Sequence, residues 1–417
     1  MNILLIYPNI AKGGYSCPHF GLASISATLK ANLHTVNFLN IMRLKENKIK
    51  RKIKKLKPDF VGLTCTTHHW DEVKLLIRWI KEVGKIITVV GGSHPTICSK
   101  EVLKNKNIDY VIRGDGERAF AELLDCFEGL IDISDVNNIS YRCKDKIIEN
   151  KIELIGDLDK LPFIDRTLDL YVKRKKVAHM MAGRGCPYDC TYCCNHVLRS
   201  IYKVKKYVRY RSPEKVVQEL KLLKEKYKIR RVDFHDDTFT LSKKWLKDFC
   251  NLYKEIDLPF FCNSRPEIFN SEKAKLLRDA KCDMIRIGLE SGNEWLRTKI
   301  LNRNITNEQI IKACSIAKEN GIKVRTFNMI GLPFETEETI EETYNLNKAI
   351  KPDQMHVSIF YPYPKTILYQ ICEEQGFLTD KKKKDFFSNG TTLNLPTLSE
   401  EKINFHFRRL KKLRGSF

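Results

Sequence analysis

The chain has 417 residues, 42% hydrophobic and 30% charged, the balance of a water-soluble protein with two or three cores rather than a disordered or fibrous chain. No stretch reaches the ~20 apolar residues of a membrane span, and the fourteen cysteines are too scattered for the disulfide frame of a small secreted domain. The formal charge of +23 invites a nucleic-acid reading, but lysine is spread over many amphipathic stretches, so a cytoplasmic protein without a nucleic-acid partner is expected.

Residues 1–125 alternate short apolar runs with helix-length amphipathic segments. The opening MNILLIYPNI has no basic leader and no cleavage site, and reads as a buried strand rather than a signal peptide. Strands are expected at Ile3–Tyr7, Thr35–Phe38, Phe60–Thr64, Ile86–Val90 and Tyr110–Ile112, with helices at Leu22–Leu33, Ile49–Lys57 and Asp71–Val83 between them. This rhythm predicts an α/β fold, a Rossmann-like, doubly wound parallel sheet. Loops rich in small and polar residues follow the strands: Thr64-Cys65-Thr66, Gly91-Gly92-Ser93-His94-Pro95 and Gly114-Asp115-Gly116-Glu117. Ligands of such sheets bind beyond the carboxyl ends of the strands. Residues 43–57 carry nine Lys/Arg against one Glu, with Ile49, Ile53 and Leu56 at helical spacing, which describes a solvated helix face.

Residues 126–176 read as a connector holding a hairpin, Ile139–Cys143 with Ile147–Glu149. Residues 177–365 return to βα rhythm, with strands at His179–Ala182, Val232–His235, Phe260–Asn263, Met284–Gly288, Val324–Met329 and Met355–Phe360. Six units predict a partial (β/α)6 barrel whose chemistry gathers at the carboxyl ends of its strands. Ser212, Pro213 and Glu214 mark a helix start ahead of the apolar face Val216, Val217 and Leu220. Residues 366–417 form a basic cap. From 381 onward there are ten Lys/Arg against three acids, and Ser399-Glu400-Glu401 can start a helix carrying Ile403, Phe407, Leu410 and Leu413. This end is expected either to cover the barrel mouth or meet an acidic partner, or to be a solvated tail.

One thiol group is dense. Gly183-Arg184-Gly185-Cys186-Pro187-Tyr188-Asp189-Cys190-Thr191-Tyr192-Cys193 follows the first barrel strand. Thiolates at C-x3-C-x2-C can hold three irons of one cubane and leave a fourth open. A zinc site, with Cys194 or His196 as fourth ligand, is the alternative; the loop's position on a barrel weighs against it. The run resembles the motif of the radical S-adenosylmethionine superfamily, with Tyr192 at its aromatic position. The resemblance continues through Phe234–Phe239, Asn263–Pro266, Ile287–Gly292, Met329–Thr336 and Phe360–Pro364. Two positions depart from it: Phe334 and Lys365 stand where glycine is usual. The resemblance implies a [4Fe–4S] cluster on Cys186, Cys190 and Cys193. It also implies a site for S-adenosylmethionine: Asp236 or Asp237 for its ammonium, Arg265 for its carboxylate, Glu290 and Ser291 for the ribose, and main chain near Tyr192 and Gly331 for adenine.

The first 125 residues resemble the cobalamin-binding domain that precedes the barrel in one large radical enzyme family. The match lies in Phe60–Thr64, Val90–Thr96, Tyr110–Glu117 and Pro18-x-x-Gly21-Leu22, and Gly156–Phe163 of the connector fits the same family. It implies cobalamin contacts at Thr64, Thr66, Gly91, Gly92, His94, Gly114 and Glu117. The Asp-x-His-x-x-Gly element that supplies a cobalt ligand in many such domains is missing from Pro8–Gly14, so a cobalt face without a histidine is expected. The second reading is a methylthiotransferase with another cluster on Cys17, Cys65 and Cys98; a third is a nonenzymatic regulator. The resemblance implies that a 5′-deoxyadenosyl radical takes a hydrogen atom from an unactivated carbon, to which methylcobalamin delivers a methyl group. Ring formation or rearrangement is the alternative outcome. A small-molecule or peptide substrate and a low-potential donor such as flavodoxin or ferredoxin are the implied partners.

Overall fold

The computed structural model describes residues 1–10, 17–204, 206–381 and 390–413. The chain divides into two compact units, Met1–Tyr171 with Val197–Tyr207, and Val172–His196 with Val208–Phe417. Among the described residues no helix is long and apolar enough to cross a membrane.

The first unit is built on strands β1 (Asn2–Pro8), β2 (Thr35–Ile41), β3 (Phe60–Thr64), β4 (Ile87–Gly91), β5 (Tyr110–Ile112), β6 (Ile139–Cys143) and β7 (Lys146–Glu149). They lie in the order β2-β1-β3-β4-β5-β6-β7. The first five are parallel. Side chains alternate along these strands into two separate cores. Leu4, Ile6, Val61, Leu63 and Val90 pack on one face of the sheet, while Ile3, Leu5, Phe60 and Val89 pack on the other. That double burial explains why the strands read as continuous apolar runs rather than alternating ones. The strand order reverses between β1 and β3, which places the ligand crevice of such sheets outside the carboxyl ends there. The expected hairpin is present but is no free connector: β6 pairs antiparallel with β5, Tyr110 opposite Tyr141, and extends the sheet. The basic helix Glu46–Leu56 buries Ile49 and Ile53 and turns its lysines outward, Lys50 pairing with Glu46 and Glu82.

The second unit opens on β8 (Val177–Met180). A short antiparallel pair follows, β9 (Gly183–Arg184) with β10 (Arg209–Tyr210). Then come β11 (Arg231–Phe234), β12 (Phe260–Ser264), β13 (Cys282–Glu290), β14 (Lys323–Ile330) and β15 (Gln354–Ile359). The six long strands form one parallel sheet in the order β15-β14-β13-β12-β11-β8, a partial barrel. Ala178, Met180, Val232, Phe234, Ile285 and Ile287 point into the helical layer. By alternation His179, Asp233 and Arg286 face the opposite, inner side. Ser212 caps the helix Pro213–Tyr227 by accepting from the Lys215 N–H.

The C-terminal helix Glu400–Leu413 buries Ile403, Phe407, Leu410 and Leu413 in one core with Met355, Val357 and Ile359 of β15. Three of its basic side chains meet acids of the same unit. Lys402 pairs with Glu337, Arg409 with Glu341, and His406 Nε2 lies 3.2 Å from Glu337. The helix Glu400–Leu413 is therefore packed against β15 and is not a solvated tail. Residues 382–389 of the basic stretch, and 11–14 of the loop after β1, lie outside the described residues.

Candidate functional site

The cysteine loop leaves β9 and is tied down at several points. Thr191 Oγ1 donates to the Ile300 carbonyl at 2.5 Å, the Thr191 N–H to the Leu301 carbonyl at 3.1 Å, and Asn302 Nδ2 to the Asp189 carbonyl at 2.9 Å. His196 Nδ1 sits 3.1 Å from the Cys190 carbonyl and its Nε2 accepts from the Ile367 N–H at 3.4 Å. Both ring nitrogens are engaged, so His196 does not suit the fourth position of a zinc site. Cys190 is buried, while Cys186 and Cys193 are partly exposed. Two guanidiniums flank Cys190: Arg265 Nη1 donates to its Sγ at 3.2 Å, and Arg303 Nη1 lies 3.9 Å from it. Three thiols on one loop beside fixed cations fit an anionic iron–sulfur cluster.

At the strand ends the expected contacts separate. Asp236, proposed from sequence as one of two ammonium acceptors, is buried and committed to backbone; it accepts from the N–H of Ala182 at 3.1 Å and of Gly183 at 2.6 Å. Burial pushes its carboxyl up to about 7. It holds the entry of the cysteine loop, and Asp237 stands beside it with a hydrogen bond from the Asn195 side chain. Arg265 is fixed by Glu267, Nε to Oε1 at 2.5 Å, and its guanidinium lies 3.7 Å from the Tyr188 ring centre. Glu290 occupies a left-handed backbone position, φ 65°, at an irregular register between β13 and β14. Such strain in a non-glycine residue gathers at functional sites. Its Oε1 is 3.7 Å from Arg303 Nη1, which also reaches the Tyr192 hydroxyl at 3.4 Å. Ser291 is fully buried; its hydroxyl accepts from the Asn293 N–H and its carbonyl from Arg297. It shapes its own loop rather than presenting a hydroxyl to a ribose. The Gly331 N–H donates to Glu335, whose other oxygen has no partner among the described residues.

Sequence reasoning missed three features. Arg303 lies in a polar run, Asn302-Arg303-Asn304, with no local signal. Glu335 reaches back to its own loop, for which an acid four residues after Gly331 was the available hint. The third is an array on the inner face of the barrel. His179 Nδ1 and His235 Nε2 are 2.9 Å apart, and Asp233 stands 3.7 Å from His235 and 2.7 Å from Arg286 Nη2. Ligand atoms of His179, Asp233 and His235 come within 4.8 Å of one another. Arg286 already neutralises the carboxylate, so a hydrogen-bonding array describes the group better than a metal site.

In the first unit the predicted loops meet beyond the carboxyl ends of β3, β4 and β5. Thr64 Oγ1 is 3.0 Å from His19 Nε2, and Thr66 Oγ1 is 3.2 Å from His69 Nδ1. His19 Nδ1 accepts the Leu22 N–H, and burial lowers its pKa to about 4. A neutral ring with both nitrogens engaged is no cobalt ligand. Gly92 has φ 105°, and a Cβ there would lie 2.7 Å from the Cys65 carbonyl oxygen. Gly114 has φ 76°, and a Cβ would lie 1.8 Å from the Tyr202 hydroxyl. Gly91 is under no such constraint, its nearest atom being 3.5 Å away. Thr96 links the two strained loops by donating to the Gly92 carbonyl and accepting from the Gly114 N–H. Glu117 is buried at the start of the helix Glu117–Phe127. His94 Nδ1 is 3.3 Å from Thr67 Oγ1; its buried Nε2 has no partner among the described residues. Burial also lowers its pKa, which keeps the ring neutral. A neutral orphaned nitrogen beside two glycine-only loops fits a large cofactor laid against this edge. Of the cysteine trio, Cys65 and Cys98 are buried and Cys17 is partly exposed, and the Cys65 Sγ donates to the Thr66 carbonyl at 3.2 Å.

Residues 180–346 match the Radical SAM superfamily and residues 7–124 the B12 binding domain. The anaerobic magnesium-protoporphyrin IX monomethyl ester cyclase of Rubrivivax gelatinosus is 30% identical over 94% of this chain and 76% of its own. An uncharacterised methyltransferase of Pyrococcus horikoshii is 28% identical over 98% of this chain and 91% of its own. Among solved structures, the radical methyltransferase TsrM from Kitasatospora setae, bound to tryptophan and an S-adenosylmethionine analogue, has a TM-score of 0.74 at 18% identity. It covers 97% of this chain and 82% of its own. OxsB with aqua-cobalamin has a TM-score of 0.76 at 17% identity, covering 97% and 66%. At such identities the two structures speak for the fold alone. With both sequence patterns on one chain and a relative matched along nearly all of it, this protein belongs to the cobalamin-binding radical S-adenosylmethionine enzymes, whose cofactors are a [4Fe–4S] cluster, S-adenosylmethionine and cobalamin.

Proposed function

We propose that this enzyme methylates an unactivated carbon of a small-molecule or peptide substrate. The observation that carries the reading is one chain with both a three-cysteine loop flanked by buried arginines and a sheet edge whose Gly92 and Gly114 admit no side chain. The methyltransferase name of the Pyrococcus relative, matched over 98% of this chain, supports the outcome. When bound, the cofactors supply an electron, a 5′-deoxyadenosyl radical that takes a hydrogen atom, and a methyl group on cobalt.

The protein's share is positioning and exclusion of water. Cys186, Cys190 and Cys193 hold the cluster. Asp237 accepts the ammonium of S-adenosylmethionine, Arg265 stands for its carboxylate, Glu290 for ribose hydroxyls, and main chain at Tyr192 and Gly331 for adenine. Thr64, Thr66, Gly91, Gly92, His94, Gly114 and Glu117 receive cobalamin. The His179–His235 array supplies hydrogen bonds to a polar group of the substrate inside the barrel. Residues 1–125 serve as the cobalamin domain, 126–176 as connector, 177–365 as barrel and 366–417 as cap; a flavodoxin or ferredoxin delivers the electron.

The cyclase at 30% identity supports ring formation as a second reading. Reconstituted protein given methyl-deuterated S-adenosylmethionine and a reductant separates the two. Methyl transfer predicts release of S-adenosylhomocysteine and labelled methylcobalamin in the protein. Release of 5′-deoxyadenosine with no S-adenosylhomocysteine would move the assignment to ring formation.

A further inference from the structure

We infer that Arg265 and Arg303 set the reduction potential of the cluster through Cys190, making them positioning residues for the electron as well as neighbours of S-adenosylmethionine. The inference rests on Cys186, Cys190 and Cys193 being the cluster ligands. The three thiols have unequal surroundings. Cys186 Sγ has Thr238 Oγ1 at 4.0 Å and Cys193 Sγ has Asn195 Nδ2 at 3.7 Å, both neutral. Cys190 alone has two guanidiniums, at 3.2 and 3.9 Å.

Both arginines are buried, 8% and 4% exposed, so water and salt screen them little. Both are also held rigidly. Arg265 is clamped between Glu267 and the Tyr188 ring. Arg303 donates to the Gly288 carbonyl at 2.8 Å and faces Glu290 and Tyr192. An electron added to the cluster makes the thiolate sulfurs more negative. Hydrogen bonds and fixed positive charge at a ligand sulfur stabilise that reduced state and raise the potential. Glu267 and Glu290 offset part of each charge, so the acids belong to the same setting. Glu267 touches Arg265 and gives a control of opposite sign.

The test is potentiometric titration of the full, cobalamin-loaded chain without S-adenosylmethionine, read by the resonance signal of the reduced cluster. Arg265→Gln and Arg303→Gln should each shift the midpoint to more negative potential, with a larger shift in the double variant. Arg265→Lys and Arg303→Lys should recover part of it, since charge remains where the planar fork is lost. Glu267→Gln, which leaves both arginines in place, should shift the midpoint upward. Iron-loaded Gln variants at the wild-type midpoint, or above it, would overturn the inference. If the Gln variants fail to load iron, an unmoved midpoint in Glu267→Gln overturns it alone. A cluster that persists when all three cysteines are changed to Ala would instead refute the ligand assignment. Loss of iron there, with unmoved midpoints in the arginine variants, refutes only the inference.

Discussion

Glu335 makes a quantitative prediction. It is fully buried at the end of the β14 loop; one oxygen accepts the N–H groups of Gly331 and Leu332 and the other has no partner among the described residues. Burial pushes its carboxyl from 4.5 up to about 8, so the fold keeps it protonated near neutrality. Below pH 4.5 folded and unfolded chains both hold the proton and the group is neutral for stability. As pH rises from there toward about 8, the unfolded chain releases the proton while the fold retains it, and stability falls; above about 8 the loss levels off. At ~1.4 kcal/mol per pH unit the full loss is at most ~5 kcal/mol. Glu335→Gln keeps an acceptor for both N–H groups and has nothing to ionise. Denaturant unfolding of the two proteins, followed anaerobically from pH 5 to pH 8, should show similar stability at pH 5. The variant should then gain an advantage of a few kcal/mol by pH 8. A difference that stays constant across this range would refute the reasoning.

Gly114→Ala should destabilise the N-terminal unit by ~2–4 kcal/mol, from left-handed strain plus collision with Tyr202, and should reduce cobalamin retention, whereas Gly91→Ala should cost under ~1 kcal/mol; equal melting shifts would contradict the loop geometry. Lys365 is exposed at φ 62°, so Lys365→Gly should gain about 1 kcal/mol by relieving left-handed strain. Phe334→Gly should give no such gain, because Phe334, at φ 64°, also packs its ring 5.8 Å from Phe377; thermal unfolding of both distinguishes them. The cob(II)alamin resonance spectrum of the wild type should show no histidine-nitrogen splitting; splitting that disappears in His94→Ala would make His94 a cobalt ligand.

What was legible in the sequence was local. Apolar runs of strand length bounded by Gly, Pro and Thr located β1 to β5 and the six barrel strands, since strands buried on both faces need no long-range information to be recognised. The cysteine loop was legible because ligand spacing is itself local chemistry. Phe334 and Lys365, which stand where glycine is usual, both have left-handed backbone, a strain that the sequence reading did not anticipate. Partner choice was less legible. The hairpin Ile139–Glu149 could be seen, but nothing near it says that Tyr141 will sit opposite Tyr110. The same holds for Asp236, whose carboxylate is used by backbone more than fifty residues earlier, and for Arg303, which crosses to Cys190 from a polar run. Lys402 and Arg409 looked available to a partner because the acids that take them, Glu337 and Glu341, lie on a distant helix.

Iron and cobalamin content of the anaerobically reconstituted chain, wild type against the Cys186/Cys190/Cys193 triple Ala variant, tests the central claim most directly. The account predicts about four irons and one cobalamin per wild-type chain, with cleavage of S-adenosylmethionine on reduction. In the variant it predicts loss of the iron and of cleavage while cobalamin stays bound. Iron retained in the variant, or about eight irons with no corrin absorption in the wild type, would contradict it.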